Sequence, residues 1–316
     1  MNTKPQATVS AVVFAYHDIG VRCLASLLEL GVDVRLVVTH QDSPSEKIWF
    51  ESVAELALKN GIEVITPGDP NIRSVIEQVA GCKPDLIFSF YYRQMLSELL
   101  LAIPALGAFN VHGSLLPKYR GRVPVNWAII HGETECGVSL HRMVKKPDAG
   151  DLMAQQAVPI LRNDTARDVF QKLKCAAEAM LIKVVPQIIT GQLEGQVMDL
   201  QKGSYFGGRK PEDGQIDWSK PAQQIHNLVR AVAPPFPGAF FDAGGRRLNV
   251  LFSYYKEEPA HFAEPCIYFD KDGFQADCVD GYRFMITQME MDGKPLDEAA
   301  FSQLFGSRLL LAGNSD

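Results

Sequence analysis

The sequence predicts an α/β protein, with a mainly parallel sheet in its first two thirds and a small β-barrel after it. Short apolar runs alternate with amphipathic ones over residues 9–79, which is typical of strands joined by crossover helices. After Pro237 the pattern changes to short strands separated by turns at Gly244-Gly245 and Asp272-Gly273, which favours a barrel. A length of 316 residues also favours two domains over one.

The first part of the chain contains the elements of the predicted parallel sheet. Ser43, Pro44 and Glu46 resemble a capping box, which predicts a helix that begins there and ends at Gly61. The run Leu86-Ile87-Phe88 predicts a central strand that is covered on both faces. Further predicted strands cover residues 9–16, 32–39, 63–66, 108–112, 137–144 and 153–160, and further helices cover 21–30, 72–79, 124–130 and 165–190.

The end of the long predicted helix leads to a predicted domain boundary. Pro186 lies in the last turns of that helix and is expected to kink or fray them. Residues 203–214 are rich in Gly, Arg, Lys and Pro and are expected to form a linker, followed by a helix over 223–232. We therefore predict domains at residues 1–203 and 204–316.

Composition and charge narrow the class of protein. Hydrophobic residues make up 47% and charged residues 22%, as in ordinary globular proteins, and six widely spaced cysteines give no zinc or redox spacing. No apolar run approaches the length that crosses a bilayer, and the first one is too short for a signal peptide. The net charge of −6 disfavours a nucleic-acid partner. We expect a soluble, cytoplasmic protein without membrane insertion or metal.

Three common signatures of α/β enzymes do not occur in the sequence. No Gly-x-Gly-x-x-Gly follows the first predicted strand, so the usual phosphate-binding turn for a dinucleotide is missing. There is also no Walker loop and no Gly-x-Ser-x-Gly nucleophile elbow. The predicted α/β domain must therefore serve other chemistry.

Two segments carry residues suited to acyl transfer. Asn110 and His112 lie two apart on a predicted strand, so their side chains share one face. Acyl transfer to an amine needs a donor for the oxyanion and a group that moves a proton, and an amide with an imidazole supplies both. Asp148 lies in a later turn-rich segment, where a carboxylate beside His112 would raise the imidazole pKa. The alternatives are a structural histidine and a surface turn.

These segments resemble the signature of the 10-formyltetrahydrofolate-dependent formyltransferases. The resemblance rests on NVHGSLLPKYRGR at 110–122 and DAG at 148–150, and it extends to HNLVRA at 226–231 and PGAF at 237–240. It implies a Rossmann-like catalytic domain followed by an OB-like barrel. It also implies that Asn110 stabilises the transition state, that His112 donates or accepts the proton, and that Asp148 raises the pKa of His112.

The same resemblance implies a binding site for the formyl donor, 10-formyltetrahydrofolate. Backbone groups in loops of this kind can bind the edge of a pterin. For the first three positions the alternative is the start of a helix. The positions that match the family's folate site are Gln94, Met95, Leu96, Arg122, Val144, Lys145, Lys146 and Pro147.

Within the family, three segments are most similar to the formyltransferase domain of bifunctional polymyxin-resistance enzymes. They are FAYHD at 14–18, FSFYYR at 88–93 and LHRM at 140–143. This likeness implies UDP-4-amino-4-deoxy-L-arabinose as the acceptor, and thus a role in lipid A modification. The alternative is a methionyl-tRNA formyltransferase, but those enzymes tend to carry a basic inserted loop, whereas residues 41–47 are short and not basic.

The acceptor site is expected to combine aromatic and cationic residues. Tyr16 and His17 could line the sugar, although packing and helix capping are alternatives. Lys118, Arg120 and Arg209 could bind the diphosphate through charge-assisted hydrogen bonds, with solvated surface cations as the alternative. A formate-releasing hydrolase and a non-catalytic binding protein for folate or a nucleotide sugar remain further candidates.

Overall fold

The computed structural model describes residues 9–42 and 48–311, and these form two compact units. The N-terminal unit consists of Met1–Pro124, Cys136–Val158 and Gln171–Phe206. The C-terminal unit consists of Val125–Glu135, Pro159–Phe170 and Gly207–Asp316.

The N-terminal unit is built on a mainly parallel sheet, as predicted. Its strand order is β3-β2-β1-β4-β5-β7-β8, in which β1 to β5 pair in parallel and β7 runs antiparallel to β5. These strands are β1 Ser10–Ala15, β2 Asp33–Val38, β3 Glu63–Ile65, β4 Leu86–Phe90, β5 Gly107–His112, β7 Glu135–Arg142 and β8 Leu152–Pro159.

The middle of this sheet is its most apolar part. Every residue of β1 and of β4 is buried, because helices cover both faces of a parallel sheet and leave no side of the strand in water. The central position predicted for the run at Leu86 is confirmed. The helices of the N-terminal unit are α1 His17–Glu29, α2 Val53–Lys59, α3 Arg73–Gly81, α4 Glu98–Leu101 and the larger part of α6 Ala166–Ile189. Helix α5, Pro124–Ile130, belongs to the C-terminal unit except for its first residue.

The segment before α2 differs from the prediction. Residues 48–52 are not helical, and the side chain of Ser52 accepts a hydrogen bond from the backbone N–H of Glu55, so the helix cap lies there. The predicted capping residues Ser43, Pro44 and Glu46 lie outside the described residues. Helix α6 continues through Pro186 to Ile189, so its last turns are not frayed, while the kink expected at Pro186 stays a prediction.

The predicted linker at 203–214 contains regular structure instead. Strand β9, Tyr205–Phe206, pairs in parallel with strand β6, Arg120–Gly121, and 3-10 turns lie at Leu200–Lys202 and Pro211–Gly214. The composition suggested a linker because glycine and proline are common in both linkers and tight turns. The pairing of β6 with β9 holds the end of the signature segment, because Arg120 and Gly121 belong to it.

The C-terminal unit contains an antiparallel half-barrel. Its strand order is β10-β11-β14-β13-β12-β16, and β15 pairs with β14. Trp218, Phe241, Phe284 and Phe301 lie among the buried side chains of its core. The strands are β10 Ala239–Ala243, β11 Arg246–Pro259, β12 Cys266–Asp270, β13 Gly273–Asp277, β14 Tyr282–Met291, β15 Lys294–Pro295 and β16 Arg308–Leu310, and the helices are α7 Ala222–Ala231 and α8 Glu298–Phe305.

The fold class predicted from the sequence is therefore confirmed, with a Rossmann-like sheet followed by a small antiparallel half-barrel. Within the described ranges, no helix has both the length and the hydrophobicity that a membrane crossing requires.

Candidate active site

The candidate site lies where strands β4 and β5 end, next to β7. Because parallel strands share their direction, their carboxyl ends meet at one edge of the sheet, where open α/β sheets bind ligands. Asn110 and His112 occupy the end of β5, and the antiparallel register places Asn110 opposite His141 of β7. The loop between β7 and β8 brings in Asp148.

The three residues predicted for catalysis belong to one connected group of side chains. Asp148 Oδ1 lies 3.5 Å from His112 Nδ1 and 3.4 Å from His141 Nε2. Asn110 Nδ2 lies 3.1 Å from the same His141 Nε2. The structure thus places the Asp148 carboxylate between the imidazoles of His112 and His141, and the Asn110 amide contacts the imidazole of His141.

Asp148 is held in place by backbone as well as side-chain contacts. Its Oδ2 accepts a hydrogen bond of 2.9 Å from the backbone N–H of Gly121, the second residue of β6. Its own φ is +47°, a conformation that costs energy for a residue with a side chain and that is typical of functional sites. Burial raises the pKa of Asp148, but the charge of His112, the hydrogen bond to His141 and the Gly121 N–H lower it to about 2. The carboxylate is therefore ionised at neutral pH.

Gly121 is required where it stands. Its φ is +96°, and a Cβ added there would lie 2.2 Å from the carbonyl oxygen of Phe206 on β9. Only glycine fits both the conformation and the close approach of the two strands. The pairing of β6 with β9 thus fixes the N–H that holds Asp148.

His112 is buried, and its hydrogen-bond partner shows which ring nitrogen carries the hydrogen. Its Nε2 lies 2.8 Å from the carbonyl oxygen of Tyr119, which can only accept, so Nε2 carries a hydrogen. Burial lowers the pKa of His112, and the charge of Asp148 raises it without reversing the net direction. The sequence predicted the effect of Asp148 but not the larger effect of burial. His112 is therefore neutral at neutral pH, with Nδ1 able to accept a proton.

His141 is the residue of this group that sequence reasoning did not single out. The strand pattern of 137–144 places alternate residues, His141 among them, on one face, but a histidine in such a strand does not by itself indicate a catalytic group. The His141 side chain is 3% exposed, and its Nδ1 lies 2.9 Å from the carbonyl oxygen of Arg142. The contact with Asn110 depends on the register of β5 and β7, which the sequence alone does not give.

Two loops that the resemblance assigned to the folate site are joined in the structure. Gln94, Met95 and Leu96 precede α4, so they form a loop rather than a helix start. Gln94 Nε2 donates a hydrogen bond of 2.7 Å to the carbonyl oxygen of Gly68, which stabilises the conformation of this loop. An ion pair of 3.0 Å between Lys145 and Glu98 connects the β7–β8 loop to the start of α4.

The side chains of these two loops leave apolar surface open to solvent. Met95 is 51% exposed and Val144 is 39% exposed, whereas Leu96 is buried. Lys146 is exposed and Pro147 half-buried. Arg122 is exposed, and its backbone N–H donates to the carbonyl oxygen of Phe206 at 3.0 Å.

The residues predicted for the acceptor site have mixed surroundings. Tyr16 is buried, and its hydroxyl donates to Asp42 Oδ1 at 2.6 Å, so packing explains much of its position. His17 is the first residue of α1 and has φ of +69°, and its ring contacts those of Trp49 and Phe50 at centroid distances of 4.6 and 4.3 Å. No side-chain hydrogen bond caps α1, so the capping alternative finds no support.

The three predicted diphosphate cations also differ from one another. Arg120 is buried with 9% exposure, and among the described residues its Nε has no hydrogen-bond partner. Lys118 is exposed in the same unit. Arg209 belongs to the C-terminal unit, where its guanidinium lies 4.8 Å from the centre of the Trp127 ring and burial lowers its pKa.

The fold is shared with solved sugar formyltransferases. An N-formyltransferase from Helicobacter canadensis, in complex with folinic acid and dTDP-3-aminofucose, is 23% identical, with a TM-score of 0.71 over 88% of this chain and 99% of that chain. WlaRD, a sugar 3N-formyl transferase with dTDP and 5-N-formyl-THF, is 21% identical, with a TM-score of 0.64 over 92% and 100%. A 4-N formyltransferase from Francisella tularensis is 21% identical, with a TM-score of 0.62 over 76% and 95%.

Family models match most of the chain. The formyl transferase model matches residues 17–185, and the model of the formyl transferase C-terminal domain matches residues 209–305. The first match alone spans more than half of the 316 residues and includes Asn110, His112, His141 and Asp148. The chain belongs to the formyl transferase family and is a formyl-transferring enzyme.

Proposed function

We propose that this enzyme transfers the formyl group of 10-formyltetrahydrofolate to the 4-amino group of a nucleotide-linked sugar, UDP-4-amino-4-deoxy-L-arabinose. The observation that carries the proposal is the half-buried Asp148 carboxylate between His112 and His141, with Asn110 beside it. This group offers an amide donor and a neutral imidazole next to a fixed negative charge. Those are the components that formyl transfer to an amine requires.

The proposed reaction moves one proton between two nitrogens. The neutral sugar amine attacks the formyl carbon, and Asn110 donates a hydrogen bond to the oxyanion that forms. His112 accepts the proton that the attacking nitrogen loses, because its lowered pKa keeps it neutral beforehand. Asp148 stabilises the imidazolium, and the proton then passes to the folate nitrogen as the carbon–nitrogen bond breaks. The products are the N-formyl sugar and tetrahydrofolate.

We place the donor between the loop at 94–96 and the loop at 144–147. Exposed Met95 and Val144 supply apolar surface for a pterin, and the exposed Lys145–Glu98 ion pair brings the β7–β8 loop next to the start of α4. Backbone groups of these loops would bind the polar edge of the ring. Arg122 is proposed to contact the same cofactor.

We place the acceptor's diphosphate at Arg120. A buried guanidinium Nε without a protein partner is costly unless a ligand supplies the missing acceptor. Lys118, of the same unit, is proposed to add further charge, and His17 and Tyr16 to line the sugar. Phosphate binding by Arg209 is a separate proposal that rests on the sequence alone. The structural relatives solved with dTDP or dTDP-3-aminofucose support a nucleotide-linked acceptor.

The choice of UDP-4-amino-4-deoxy-L-arabinose rests on the sequence segments at 14–18, 88–93 and 140–143. It implies a cytoplasmic enzyme of lipid A modification and polymyxin resistance.

We further propose that residues 1–203 form the catalytic domain and residues 204–316 a barrel domain.

A panel of acceptors tests the proposal. The protein is incubated with 10-formyltetrahydrofolate alone, with UDP-4-amino-4-deoxy-L-arabinose, with dTDP-linked 4-amino and 3-amino sugars, and with charged initiator tRNA. Tetrahydrofolate release and the formylated product are followed together. We expect both with the UDP-sugar and the highest kcat/KM for it. Preference for a dTDP-sugar would correct the substrate, transfer to tRNA would replace the proposal, and release without any amine would indicate a hydrolase.

A further inference from the structure

Tyr91 is an aromatic residue next to the candidate site for which the proposed reaction has no role. It directly follows Phe90, the last residue of β4, which pairs with Val111 of β5. This register brings Tyr91 beside His112 and Gly113, where β5 ends. The ring is half-buried and its hydroxyl oxygen is fully buried. Tyr91 therefore reaches the catalytic edge of the sheet from the neighbouring strand.

The hydroxyl of Tyr91 occupies the space in which any other residue at position 113 would carry its Cβ. A Cβ added at Gly113 would overlap the Tyr91 hydroxyl oxygen and would lie 3.1 Å from Cζ of the same ring. The φ of Gly113 does not lie in the left-handed region, so the backbone conformation itself does not demand glycine there. The requirement for glycine at 113 therefore comes from the contact with Tyr91.

The position of the Tyr91 ring is itself constrained. Its φ is +57°, a conformation that costs energy for a residue with a side chain and that is typical of functional sites. The ring stacks on that of His17, at a centroid distance of 6.2 Å and an interplanar angle of 28°. Because β4 lies between β1 and β5, Tyr91 lies between residues that follow both neighbouring strands. A ring held in this way limits where the backbone of Gly113 can lie.

Tyr91 is not suited to move a proton itself. Burial raises the pKa of its hydroxyl above the ordinary range, so the group stays neutral. Its effect on the reaction must therefore pass through the backbone of Gly113, which is bonded directly to His112. A small displacement of a reacting group is enough to slow an enzyme strongly.

We propose that Tyr91 is a positioning residue, whose hydroxyl holds the backbone at Gly113 and thereby keeps the imidazole of His112 in its place beside Asp148. The inference rests on the proposed function, because it assumes that His112 takes part in formyl transfer. It also explains why the signature segment carries a glycine directly after the histidine.

A double-mutant cycle between Tyr91 and Gly113 tests this contact, with 10-formyltetrahydrofolate and UDP-4-amino-4-deoxy-L-arabinose as substrates. We expect Tyr91→Phe to lower kcat by about tenfold, because the hydroxyl no longer limits the backbone, with the KM for the formyl donor little changed. Gly113→Ala should lower kcat by about 10²-fold, because its Cβ displaces the backbone beside His112. In the double variant the Cβ enters the space that the hydroxyl has left. Its kcat should therefore return to about the level of Tyr91→Phe alone.

The matched control is Tyr282→Phe, which removes a hydroxyl at an exposed position of the C-terminal unit and should keep the kcat of the wild type. Two results would overturn the proposal. One is a wild-type kcat in Tyr91→Phe, and the other is a double variant that is no faster than Gly113→Ala.

A second measurement does not depend on turnover or on the folding of Gly113→Ala. In protein labelled with ¹⁵N-histidine, the ring resonances of His112 are assigned by their loss in His112→Ala and compared between the wild type, Tyr91→Phe and Tyr282→Phe at one pH. We expect them to move in Tyr91→Phe and to stay in Tyr282→Phe. Unchanged His112 resonances in Tyr91→Phe overturn the inference even if the variant is slow. Moved resonances in a protein that formylates no amine support the inference and refute the proposed function instead.

Discussion

Asp148 and the two imidazoles beside it determine the charges of the free site. Hydrogen bonds from Gly121 and His141 keep Asp148 ionised, with a pKa of about 2. Burial lowers the pKa of His112 in spite of that charge. The free enzyme therefore holds an imidazole that can accept a proton from the attacking amine, beside a carboxylate that stabilises the result.

Asp148→Asn removes the charge while keeping the shape of the side chain. We expect kcat to fall by about 10²-fold or more, because the imidazolium of His112 loses its partner. Since the carboxylate raises the pKa of His112, its removal lowers this pKa further. The limb of the kcat/KM profile that reports His112 protonation should therefore move to lower pH. Asp242→Asn, at an exposed acid of the C-terminal unit, is the matched control. A limb that moves to higher pH would contradict this assignment.

Sequence reasoning identified part of this site for clear physical reasons. The sequence places Asn110 and His112 together because residues two apart on a strand share a face, and the resemblance adds Asp148, in a turn-rich segment, to the same group. His141 was missed because its contact with Asn110 depends on the pairing of two distant strands. The direction of the His112 pKa was missed because burial is a property of the folded chain.

The strands and their pairing explain how the site is held. The ends of β4 and β5 set the edge of the sheet, β7 supplies His141, and the short pair β6 and β9 supplies the Gly121 N–H to Asp148. Alternating apolar and amphipathic runs sufficed to predict the main strands. Composition failed at β9, since a two-residue strand depends on its partner, and the cap of α2 lies at Ser52 rather than in the predicted box.

Gly121→Ala should damage both stability and catalysis. A Cβ there would meet the Phe206 carbonyl oxygen at 2.2 Å, so β6 and β9 must separate and the N–H to Asp148 must move. Gly31→Ala is the matched control, because Gly31 also has positive φ, of +72°, but nothing lies within 4 Å of its added Cβ.

We expect Gly31→Ala to lower the free energy of unfolding by about 1 kcal/mol with normal kcat. Gly121→Ala should lower it by more and reduce kcat by about tenfold or more. Urea unfolding and initial rates measure the two effects. Normal kcat in Gly121→Ala would show that β6 does not position Asp148.

The molecule as a whole consists of two units that are not continuous in the sequence. The structure groups Val125–Glu135 and Pro159–Phe170 with the residues after Phe206. The sequence predicted the order of sheet and barrel because each has its own local pattern. The sequence could not show that these two segments belong to the C-terminal unit, because this depends on contacts between residues that are distant in the chain. The boundary at 203/204 stays a prediction.

Acid should weaken the C-terminal unit through His226. This side chain is fully buried between Ser253 Oγ and the carbonyl oxygen of Arg162, and burial lowers its pKa from 6.5 to about 4. The unfolded chain therefore takes up a proton at higher pH than the folded one. The stabilisation that the folded protein gains from neutral His226 is complete above pH 6.5 and is lost as the pH falls toward 4. The free energy of unfolding should fall by about 3 kcal/mol at most from this cause.

Urea unfolding at a series of pH values checks this expectation. His226→Gln should have a shallower fall in the free energy of unfolding between pH 6.5 and 4 than the wild type, whereas the control His261→Gln, at an exposed position, should not. The same slope in His226→Gln and the wild type would show that another group is responsible.

The central claim is that His112 moves the proton during formyl transfer to an amine. The most direct test is a rapid-quench single turnover of the wild type and His112→Ala with 10-formyltetrahydrofolate and UDP-4-amino-4-deoxy-L-arabinose. We predict that the wild type forms tetrahydrofolate and formylated sugar in equal amounts. His112→Ala should bind the donor normally and react about 10²-fold more slowly or worse. A His112→Ala rate near that of the wild type would contradict the account.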